Sequence, residues 1–387
     1  MIPRAIGSQI KKMEGKYPVI SVTGPRQSGK TTLVKVLFPD YHYLNFENIA
    51  TREFAMTDPL GFLHAFGDKL IIDEAQHVPD LFSYIQITVD EHKHKRFILT
   101  GSQNFLLLQS ITQSLAGRVA IFYLLPLSYT ELRGANLGPD DYLRYIVQGG
   151  YPAIYDRNAE SSEWLSNYIT TYVERDVRQV LNVGNLVNFQ RFIALCAGRI
   201  GQLINLSSMA NELGVSYHTI DSWLSILETS FVLYRLPPFY KSYNKRIVKS
   251  SKLYFNDTGL ACALLGIDHP DKLTMHFLKG ELFENMVFGE LRKYMFNHAV
   301  RYPLHFWRDN SGKEIDGIME GTYDPTPFEI KSSMTINKNF FTNLHWWMKL
   351  SGSGRGCLIY GGDESYNREG IEILSWKDCN RIFHTPD

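Results

Sequence analysis

Residues 24–31 read Gly24-Pro25-Arg26-Gln27-Ser28-Gly29-Lys30-Thr31, and this stretch decides the fold. It matches the pattern Gly-x-x-x-x-Gly-Lys-Ser/Thr of a phosphate-binding loop at every fixed position. The apolar run 17–23 predicts a buried strand before the loop, and 30–38 predicts a helix after it, ended by Pro39. The two glycines allow a tight turn whose backbone N–H groups point at phosphate oxygens, and the start of the helix adds positive potential.

The loop therefore predicts a site for ATP and Mg²⁺. We expect Lys30 to reach the β- and γ-phosphates and the Thr31 hydroxyl to ligate the metal. The alternative is a glycine-rich turn that binds nothing, which the order of strand, loop and helix disfavours. The residues predicted to bind nucleotide are Gly24, Pro25, Arg26, Gln27, Ser28, Gly29, Lys30, Thr31, Thr32 and Ser102.

Two acids follow the next buried stretch. Residues 69–74 predict a strand that ends in Asp73 and Glu74. Behind a matched phosphate loop, Asp73 is predicted to hold Mg²⁺, usually through a water, and Glu74 to act as the general base that activates the attacking water. The alternative is a strand that ends in charged residues at a surface turn.

Further along, 96–102 predicts another strand, at whose end Ser102 or Gln103 would sense the γ-phosphate or hold the lytic water. The sequence Gly-Ser-Gln-Asn is also typical of a turn, so a turn without a catalytic role is the alternative. Arg118 precedes a strand at 119–125 and is a candidate for stabilising transition-state charge, in cis or across a subunit boundary, or else a surface arginine. Strands that alternate with helices favour a parallel sheet covered on both faces.

Composition limits the partners and the compartment. The 387 residues suggest two or three domains, and 40 Lys+Arg balance 40 Asp+Glu, so any contact with DNA must come from a local patch. The four cysteines form no C-x-x-C pair, which argues against a structural zinc site or a disulfide framework. There is no signal segment and no apolar run long enough to cross a membrane. We therefore expect a cytoplasmic protein.

The middle of the chain has a helical pattern. Residues 162–181 predict a long helix with an apolar stripe typical of core packing. A helix-turn-helix follows: Ser207 would cap a short helix that Gly214 breaks, and Ser216 would cap the next helix over 217–229. Wing strands are predicted at 231–236 and 252–255, with a basic, tyrosine-containing patch at 241–249. The second helix has no basic exposed face, so DNA and a protein partner both stay open as ligands.

The region after residue 276 contains a second candidate active site, formed by Asp316 and the later motif Glu329-x-Lys331. Glu329 and Lys331 lie two apart on a predicted strand and therefore share one face. Asp316, on a neighbouring strand, can face them, so that Asp316 and Glu329 would hold Mg²⁺ while Lys331 orients or activates water. Glu284 on the preceding helix would be a further ligand. Alternatively, the acids form a solvated strand face paired with Lys331.

The element order of this region is a helix over 277–296, strands at 304–308, 314–319 and 327–331, a helix over 338–350, and strands at 356–360 and 371–376. Together with Asp316, Glu329 and Lys331, it resembles the catalytic core of the restriction-endonuclease-like nucleases. That resemblance implies a fold of this kind, but inactive relatives keep the same fold, so cleavage is a separate question.

Nearly the whole chain resembles a family of bacterial and archaeal AAA-like P-loop ATPases that carry a poorly characterised C-terminal region. The motifs that carry the resemblance are the phosphate loop, Asp-Glu-Ala-Gln at 73–76, Leu-Thr-Gly-Ser at 99–102, Leu-Ala-Gly-Arg at 115–118, Gly-Gly-Tyr-Pro at 149–152 and Thr-Tyr-Val-Glu-Arg-Asp-Val at 171–177. The resemblance implies a helical lid after the ATPase sheet.

We therefore predict an α/β chain with four parts: a P-loop parallel-sheet ATPase core at 1–127, a helical lid at 128–199, a winged helix-turn-helix at 200–265 and a restriction-endonuclease-like α/β domain at 266–387. The expected function is Mg²⁺-dependent binding and hydrolysis of ATP, coupled to a C-terminal region that binds DNA or a partner. The alternatives are an ATP-gated, Mg²⁺-dependent DNA nuclease and a nucleotide switch that binds a protein partner. We expect no membrane contact, and an oligomer is compatible with the sequence.

Overall fold

The computed structural model describes residues 2–102, 114–173, 186–240, 248–321 and 324–384, with the side chains of 172 and 173 left out. The chain forms two compact units. The first unit comprises Met1–Leu127 with the short segments Thr229–Phe231 and Phe296–Ala299, and the second comprises Ser128–Glu228, Val232–Met295 and Val300–Asp387. The predicted boundaries at 199/200 and 265/266 therefore both fall inside the second unit.

The first unit alternates strands with helices along the chain. Its elements are α1 (Gly7–Glu14), β1 (Val19–Thr23), α2 (Lys30–Leu37), β2 (His42–Asn45), α3 (Ile49–Thr57), α4 (Pro59–Ala65), β3 (Lys69–Asp73), α5 (Leu81–Glu91), β4 (Arg96–Gly101) and β5 (Val119–Tyr123). All five strands are parallel, in the order β2-β3-β4-β1-β5.

This sheet is buried on both faces. Along β3, Leu70 and Ile72 belong to one hydrophobic cluster, whereas Ile71 belongs to the other. Successive strand side chains point to opposite faces, so the apolar run of β3 supplies both cores at once. The doubly covered parallel sheet predicted from the sequence is confirmed.

The second unit begins with helices and ends with a mixed sheet. Its helices are α6 (Tyr129–Gly134), α7 (Tyr142–Gln148), α8 (Pro152–Asp156), α9 (Ser161–Tyr168), α10 (Leu186–Ala197), α11 (Leu206–Leu213), α12 (Tyr217–Thr229), α13 (Thr258–Leu264), α14 (Pro270–Met275), α15 (Lys279–His298) and α16 (Thr342–Ser351). Its strands are β6 (Leu233–Leu236), β7 (Lys252–Phe255), β8 (Leu304–Arg308), β9 (Glu314–Met319), β10 (Thr326–Lys331), β11 (Gly356–Tyr360), β12 (Tyr366–Arg368) and β13 (Ile371–Ser375).

The predicted helix-turn-helix is present as α11 and α12, followed by the antiparallel pair β6 and β7. Gly214 ends α11 at φ 65°, and the hydroxyl of Ser216 accepts a hydrogen bond from the Thr219 amide at 3.1 Å, as expected. The cap at the start of α11 differs from the prediction. Asn205, rather than Ser207, accepts from the Ser208 amide at 3.0 Å, because the helix begins at Leu206, two residues earlier than a cap at Ser207 would place its start.

A six-stranded sheet closes the chain, in the order β12-β13-β11-β10-β9-β8. Strands β8, β9 and β10 form an antiparallel meander. Strand β11 then pairs in parallel with β10, and β13 pairs in parallel with β11. This is a separate mixed sheet, as the sequence predicted, with the short edge strand β12 in addition. In the described part of the chain, no helix combines the length and apolar character needed to span a membrane.

Candidate functional site

The phosphate loop connects β1 to α2 at the carboxyl edge of the parallel sheet. Gly24 has φ 153°, and a Cβ atom there would lie 2.2 Å from the backbone oxygen of Leu124, so no other residue fits without a backbone shift. Gly29 has φ 93° and immediately precedes α2. The two glycines predicted to shape the loop therefore occupy positions that require glycine.

Lys30 is buried inside this loop. Its Nζ donates hydrogen bonds to the backbone oxygens of Gly24 at 2.9 Å and Pro25 at 2.8 Å. Burial lowers the pKa of Lys30 to about 8, although the carboxylates of Glu74 and Asp73 act in the opposite direction. The ammonium is thus held within the turn by weak acceptors that an anionic ligand can replace.

Asp73, at the end of β3, is 3% exposed and lies next to Thr31. One carboxylate oxygen accepts from the Thr31 hydroxyl at 2.7 Å and from the Tyr43 hydroxyl at 2.8 Å, and the other accepts from Thr100. The structure thus brings together the two residues predicted to hold a metal. Tyr43 and Thr100 were missed by the sequence analysis because they come from β2 and β4, whose neighbours only the sheet order defines.

Glu74 and Ser102 also meet. Glu74 adopts the left-handed conformation with φ 53°, and its carboxylate accepts from Ser102 Oγ at 3.0 Å and from Gln76 Nε2 at 2.5 Å. The predicted base and the predicted sensor are therefore hydrogen-bonded to each other. Thr32 is exposed on the first turn of α2. Gln103, the alternative sensor, lies outside the described residues.

Arg4 contacts the loop from the amino-terminal segment, and no motif in the sequence pointed to this contact. Its guanidinium donates to the backbone oxygen of Ser28 at 2.7 Å and to that of Leu125 at 2.6 Å. Ser28 belongs to the phosphate loop, and Leu125 lies just after β5. Arg4 therefore ties the loop to the neighbouring chain segment by two charge-assisted hydrogen bonds.

Arg118 lies at the opposite edge of the sheet. It immediately precedes β5, whose first residue Val119 pairs with Val19, the first residue of β1, whereas the phosphate loop follows the last residue of β1. A strand of this length spans roughly 17 Å. The Arg118 guanidinium donates to both carboxylate oxygens of Asp90, from Nε at 2.8 Å and from Nη2 at 2.7 Å. This position corrects the expectation of a role in cis, and a role across a subunit boundary stays a prediction.

Asp316, Glu329 and Lys331 form a cluster on the mixed sheet. Phe328 pairs with Gly317, so the next residues outward, Glu329 on β10 and Asp316 on β9, lie opposite each other. Lys331 Nζ lies 2.8 Å from Asp316 Oδ2 and 2.6 Å from Glu329 Oε2. The backbone amide of Ile330 also donates to Asp316, at 2.9 Å.

The pKa values of the two carboxyl groups of this cluster are shifted in opposite directions. Burial, and then the nearby charge of Asp316, raise the pKa of Glu329, even though Lys331 opposes this shift. Burial also acts against ionisation of Asp316, but Lys331, Lys252 and the Ile330 amide outweigh it and lower the pKa of Asp316. Such a pair favours one proton shared between two acids. Glu329 is 2% exposed, and its Oε1 has no hydrogen-bond partner.

Glu284, the further metal ligand predicted, is engaged by a second lysine. Its Oε1 lies 3.0 Å from Lys252 Nζ and also accepts from the Tyr254 hydroxyl, while Lys252 Nζ lies 2.5 Å from Glu314 Oε1. Lys252 and Glu314 were missed because β7 and β9 become neighbours of α15 only in the folded unit. Among the described residues, no group of three or more Asp, Glu, His or Cys side chains is arranged to hold a metal. The metal roles of Glu284, Asp316 and Glu329 stay predictions.

The helix-turn-helix offers little positive charge in its described part. Arg235 on β6 forms an ion pair with Glu228 and lies 3.9 Å from Asp221, so its charge is largely matched by acids of α12. The predicted basic patch at 241–249 lies mostly outside the described residues, and Lys249 is exposed.

Comparisons with known proteins match three segments of the chain. Residues 16–133 match the family described as AAA domain, 139–271 match Domain of unknown function (DUF8612), and 279–379 match Domain of unknown function (DUF4143). An uncharacterized protein of Mycobacterium tuberculosis is 32% identical over 339 residues, which are 86% of this chain and 74% of that protein. The chain belongs to the family of that protein. An uncharacterized protein of Haemophilus influenzae is 27% identical over 92% of this chain and 93% of its own length.

The solved structures that resemble this chain have lower sequence identity to it than these two relatives. The Walker-type ATPase of Pyrococcus abyssi is 14% identical, with a TM-score of 0.48, and the match covers 68% of this chain and 96% of the ATPase. DnaA of Aquifex aeolicus, solved with AMPPCP, is 14% identical with a TM-score of 0.29, and the match covers 58% of this chain and 86% of DnaA. The AAA-domain match and the parallel sheet confirm that the chain is an AAA-like P-loop ATPase with a C-terminal DUF4143 region.

Proposed function

We propose that the first unit binds ATP with Mg²⁺ and hydrolyses it. The observation that carries this proposal is the convergence at one sheet edge of Lys30 inside a glycine-shaped loop, the Thr31–Asp73 pair, and the Glu74–Ser102 pair. These are the positions that hold phosphates, metal and lytic water in P-loop enzymes.

Each side chain has a defined task in this proposal. Lys30 moves from the backbone oxygens of Gly24 and Pro25 to the β- and γ-phosphates, where its charge offsets the charge of the transferring group. Thr31 and Asp73 hold the Mg²⁺, which supplies further charge stabilisation. Glu74 accepts a proton from the attacking water, and Ser102 fixes the orientation of that carboxylate.

Two substitutions in the full chain test the proposal. Lys30→Ala removes the cation at the phosphates and should abolish ATP binding, whereas Lys12→Ala on the exposed side of α1 should leave it intact. Glu74→Gln should keep binding but lower turnover by about a hundredfold or more, the usual contribution of a general base. Wild-type affinity for ATP in Lys30→Ala, or wild-type turnover in Glu74→Gln, would refute the assigned roles.

We further propose that the second unit couples to the ATPase through DNA or a partner, with a lid at 128–199, a winged helix at 200–265 and a nuclease-like domain at 266–387. A second candidate function, an ATP-gated and Mg²⁺-dependent DNA nuclease, is supported by the juxtaposition of Asp316, Glu329 and Lys331 on a mixed sheet. Incubation with single- and double-stranded DNA, Mg²⁺ and ATP tests it. Absence of cleavage, or cleavage that survives the double substitution Glu329→Ala and Lys331→Ala, counts against it.

A further inference from the structure

The last residue of the Asp-Glu-Ala-Gln stretch at 73–76 has no task in the function proposed above. Gln76 lies in a single turn of 3₁₀-helix, Ala75–His77, which follows Glu74 directly. The residue is only 4% exposed. Burial of a polar side chain costs free energy unless hydrogen bonds replace those it made to water. The partner that Gln76 finds in the fold is therefore a guide to its role.

That partner is the carboxylate of Glu74. Gln76 Nε2 donates to Glu74 Oε2 at 2.5 Å. Because an ionised carboxylate only accepts hydrogen bonds, the nitrogen of the amide and not its oxygen must face Glu74. The described residues offer no partner to the amide oxygen, Gln76 Oε1. A buried oxygen without a partner is costly, so the amide is not placed here by a wider network of bonds through that atom.

The backbone at Glu74 makes this contact possible. Glu74 has φ 53° and ψ 44°, a left-handed conformation that residues other than glycine rarely adopt. The chain turns sharply there between the end of β3 and the 3₁₀ turn, and the side chain of Gln76 comes to lie beside the carboxylate two residues earlier. Backbone conformations of this kind persist only where surrounding contacts hold them, and they cluster at functional sites.

A second donor reaches the same carboxylate oxygen from a different part of the chain. Ser102, which immediately follows β4, donates from Oγ to Glu74 Oε2 at 3.0 Å. Both bonds thus end on Oε2, and together they restrict rotation of the carboxylate about its last torsion angle. Both donors are uncharged, so the carboxylate keeps its negative charge. Proton transfer to a base requires this kind of fixed geometry.

We propose that Gln76 is a positioning residue of the ATPase, which holds Glu74 by Oε2 together with Ser102 and so leaves Oε1 to accept the proton of the attacking water. This inference rests on the proposed function of the first unit. In that reaction the water oxygen forms a bond to the γ-phosphorus, and the bond from that phosphorus to the oxygen bridging the β- and γ-phosphates breaks. ADP leaves with the electron pair, and the water proton passes to Glu74. Gln76 acts only through Glu74.

Turnover of the full chain at saturating ATP and Mg²⁺, measured beside the dissociation constant for ATP, provides the first test. Gln76→Met has a similar size but no amide. It should lower turnover by about tenfold, as for the loss of one hydrogen bond to a charged group, and leave the dissociation constant unchanged. Gln76→Asn, whose amide is one methylene shorter, should also lower turnover. The matched control Gln86→Met, at a half-buried position of α5, should change neither quantity.

A double-mutant cycle separates positioning of Glu74 from a purely structural role. The Glu74→Gln chain has no base to position, so adding Gln76→Met should change its residual single-turnover rate by less than about twofold. Three outcomes would overturn the proposal: wild-type turnover in both Gln76 variants, a tenfold loss that persists in the Glu74→Gln chain, or a loss of ATP affinity in both Gln76 variants. A wild-type chain that does not hydrolyse ATP would overturn the proposed function itself, so the two failures are distinguishable.

Discussion

Lys30 is the residue whose contacts the proposed binding of ATP would change, from backbone oxygens to phosphates. In this structure its ammonium donates to the backbone oxygens of Gly24 and Pro25, and burial lowers its pKa to about 8. Phosphate groups would raise that pKa again, because a nearby negative charge favours the protonated lysine. Binding of ATP is therefore linked to the uptake of a proton above pH 8.

This linkage predicts a pH dependence with a definite sign. Below pH 8, Lys30 is charged in both states and the affinity for ATP is at its full value. Above pH 8, binding must first protonate Lys30, so the affinity should fall by about tenfold per pH unit. The dissociation constant of a fluorescent ATP analogue, measured from pH 7 to 9.5, checks this. A constant affinity over that interval would contradict the lowered pKa.

Arg4 is predicted to position the phosphate loop without touching the reacting atoms. Arg4→Ala removes the two hydrogen bonds to Ser28 and Leu125 and should raise the dissociation constant for ATP by about tenfold, the equivalent of about one hydrogen bond to a charged group. Arg4→Lys should recover part of the loss. Arg52→Ala, on α3, is the matched control. Unchanged ATP affinity in Arg4→Ala, with normal folding, would show that the contact does not support binding.

At the level of elements, the end of α7 and the start of α13 are fitted to each other. Asp257 accepts from the Leu260 amide at 3.1 Å, capping α13, and from the Gly150 amide at 2.7 Å. A Cβ atom on Gly149, which has φ 68°, would lie 2.2 Å from Asp257 Oδ1. Glycine at position 149 is therefore required by its close approach to a buried carboxylate.

Gly149→Ala should consequently destabilise the second unit by about 2–4 kcal/mol, since backbone strain and a clash act together. Gly266→Ala is the matched control, because Gly266 has φ 72° but nothing within 4 Å of a Cβ atom, and it should cost only about 1 kcal/mol. All six tryptophans lie beyond residue 127, so tryptophan fluorescence during urea unfolding follows the second unit alone. Equal losses in the two variants would contradict the close fit at Gly149.

For the whole molecule, the balance of charge constrains any interaction with DNA. With 40 basic and 40 acidic residues, the chain has no general attraction for a polyanion. If the patch at 241–249 binds DNA through its four cations, the affinity should fall roughly a hundredfold between 50 and 200 mM salt, as for about four phosphate contacts. Fluorescence anisotropy with duplex DNA at both salt concentrations measures this. No binding at either concentration, with slow ATP turnover, would favour the switch that binds a protein partner.

Local patterns were sufficient to predict most elements. The phosphate loop, the five parallel strands, the helix pair α11–α12, and strands β8, β9 and β11 all lie where apolar periodicity and glycine placed them. The misses are of a recognisable kind. Helix α3 was not predicted, because its sequence exposes Ile49 and Met56 and therefore lacks a clean apolar stripe. The edge strand β12 is three residues long and has no buried face.

The sequence by itself determined the glycines, the lysine and the paired acids of the nucleotide site, because these residues act through their own backbone geometry and charge. Tertiary structure alone decided which distant side chains join them. Arg4 reaches Ser28, Tyr43 reaches Asp73, and Lys252 reaches Glu284. The parallel register of β5 with β1 likewise placed Arg118 at the edge away from the phosphate loop. The physical reason is that strand order and helix packing bring together residues far apart in the chain, and no local periodicity records those contacts.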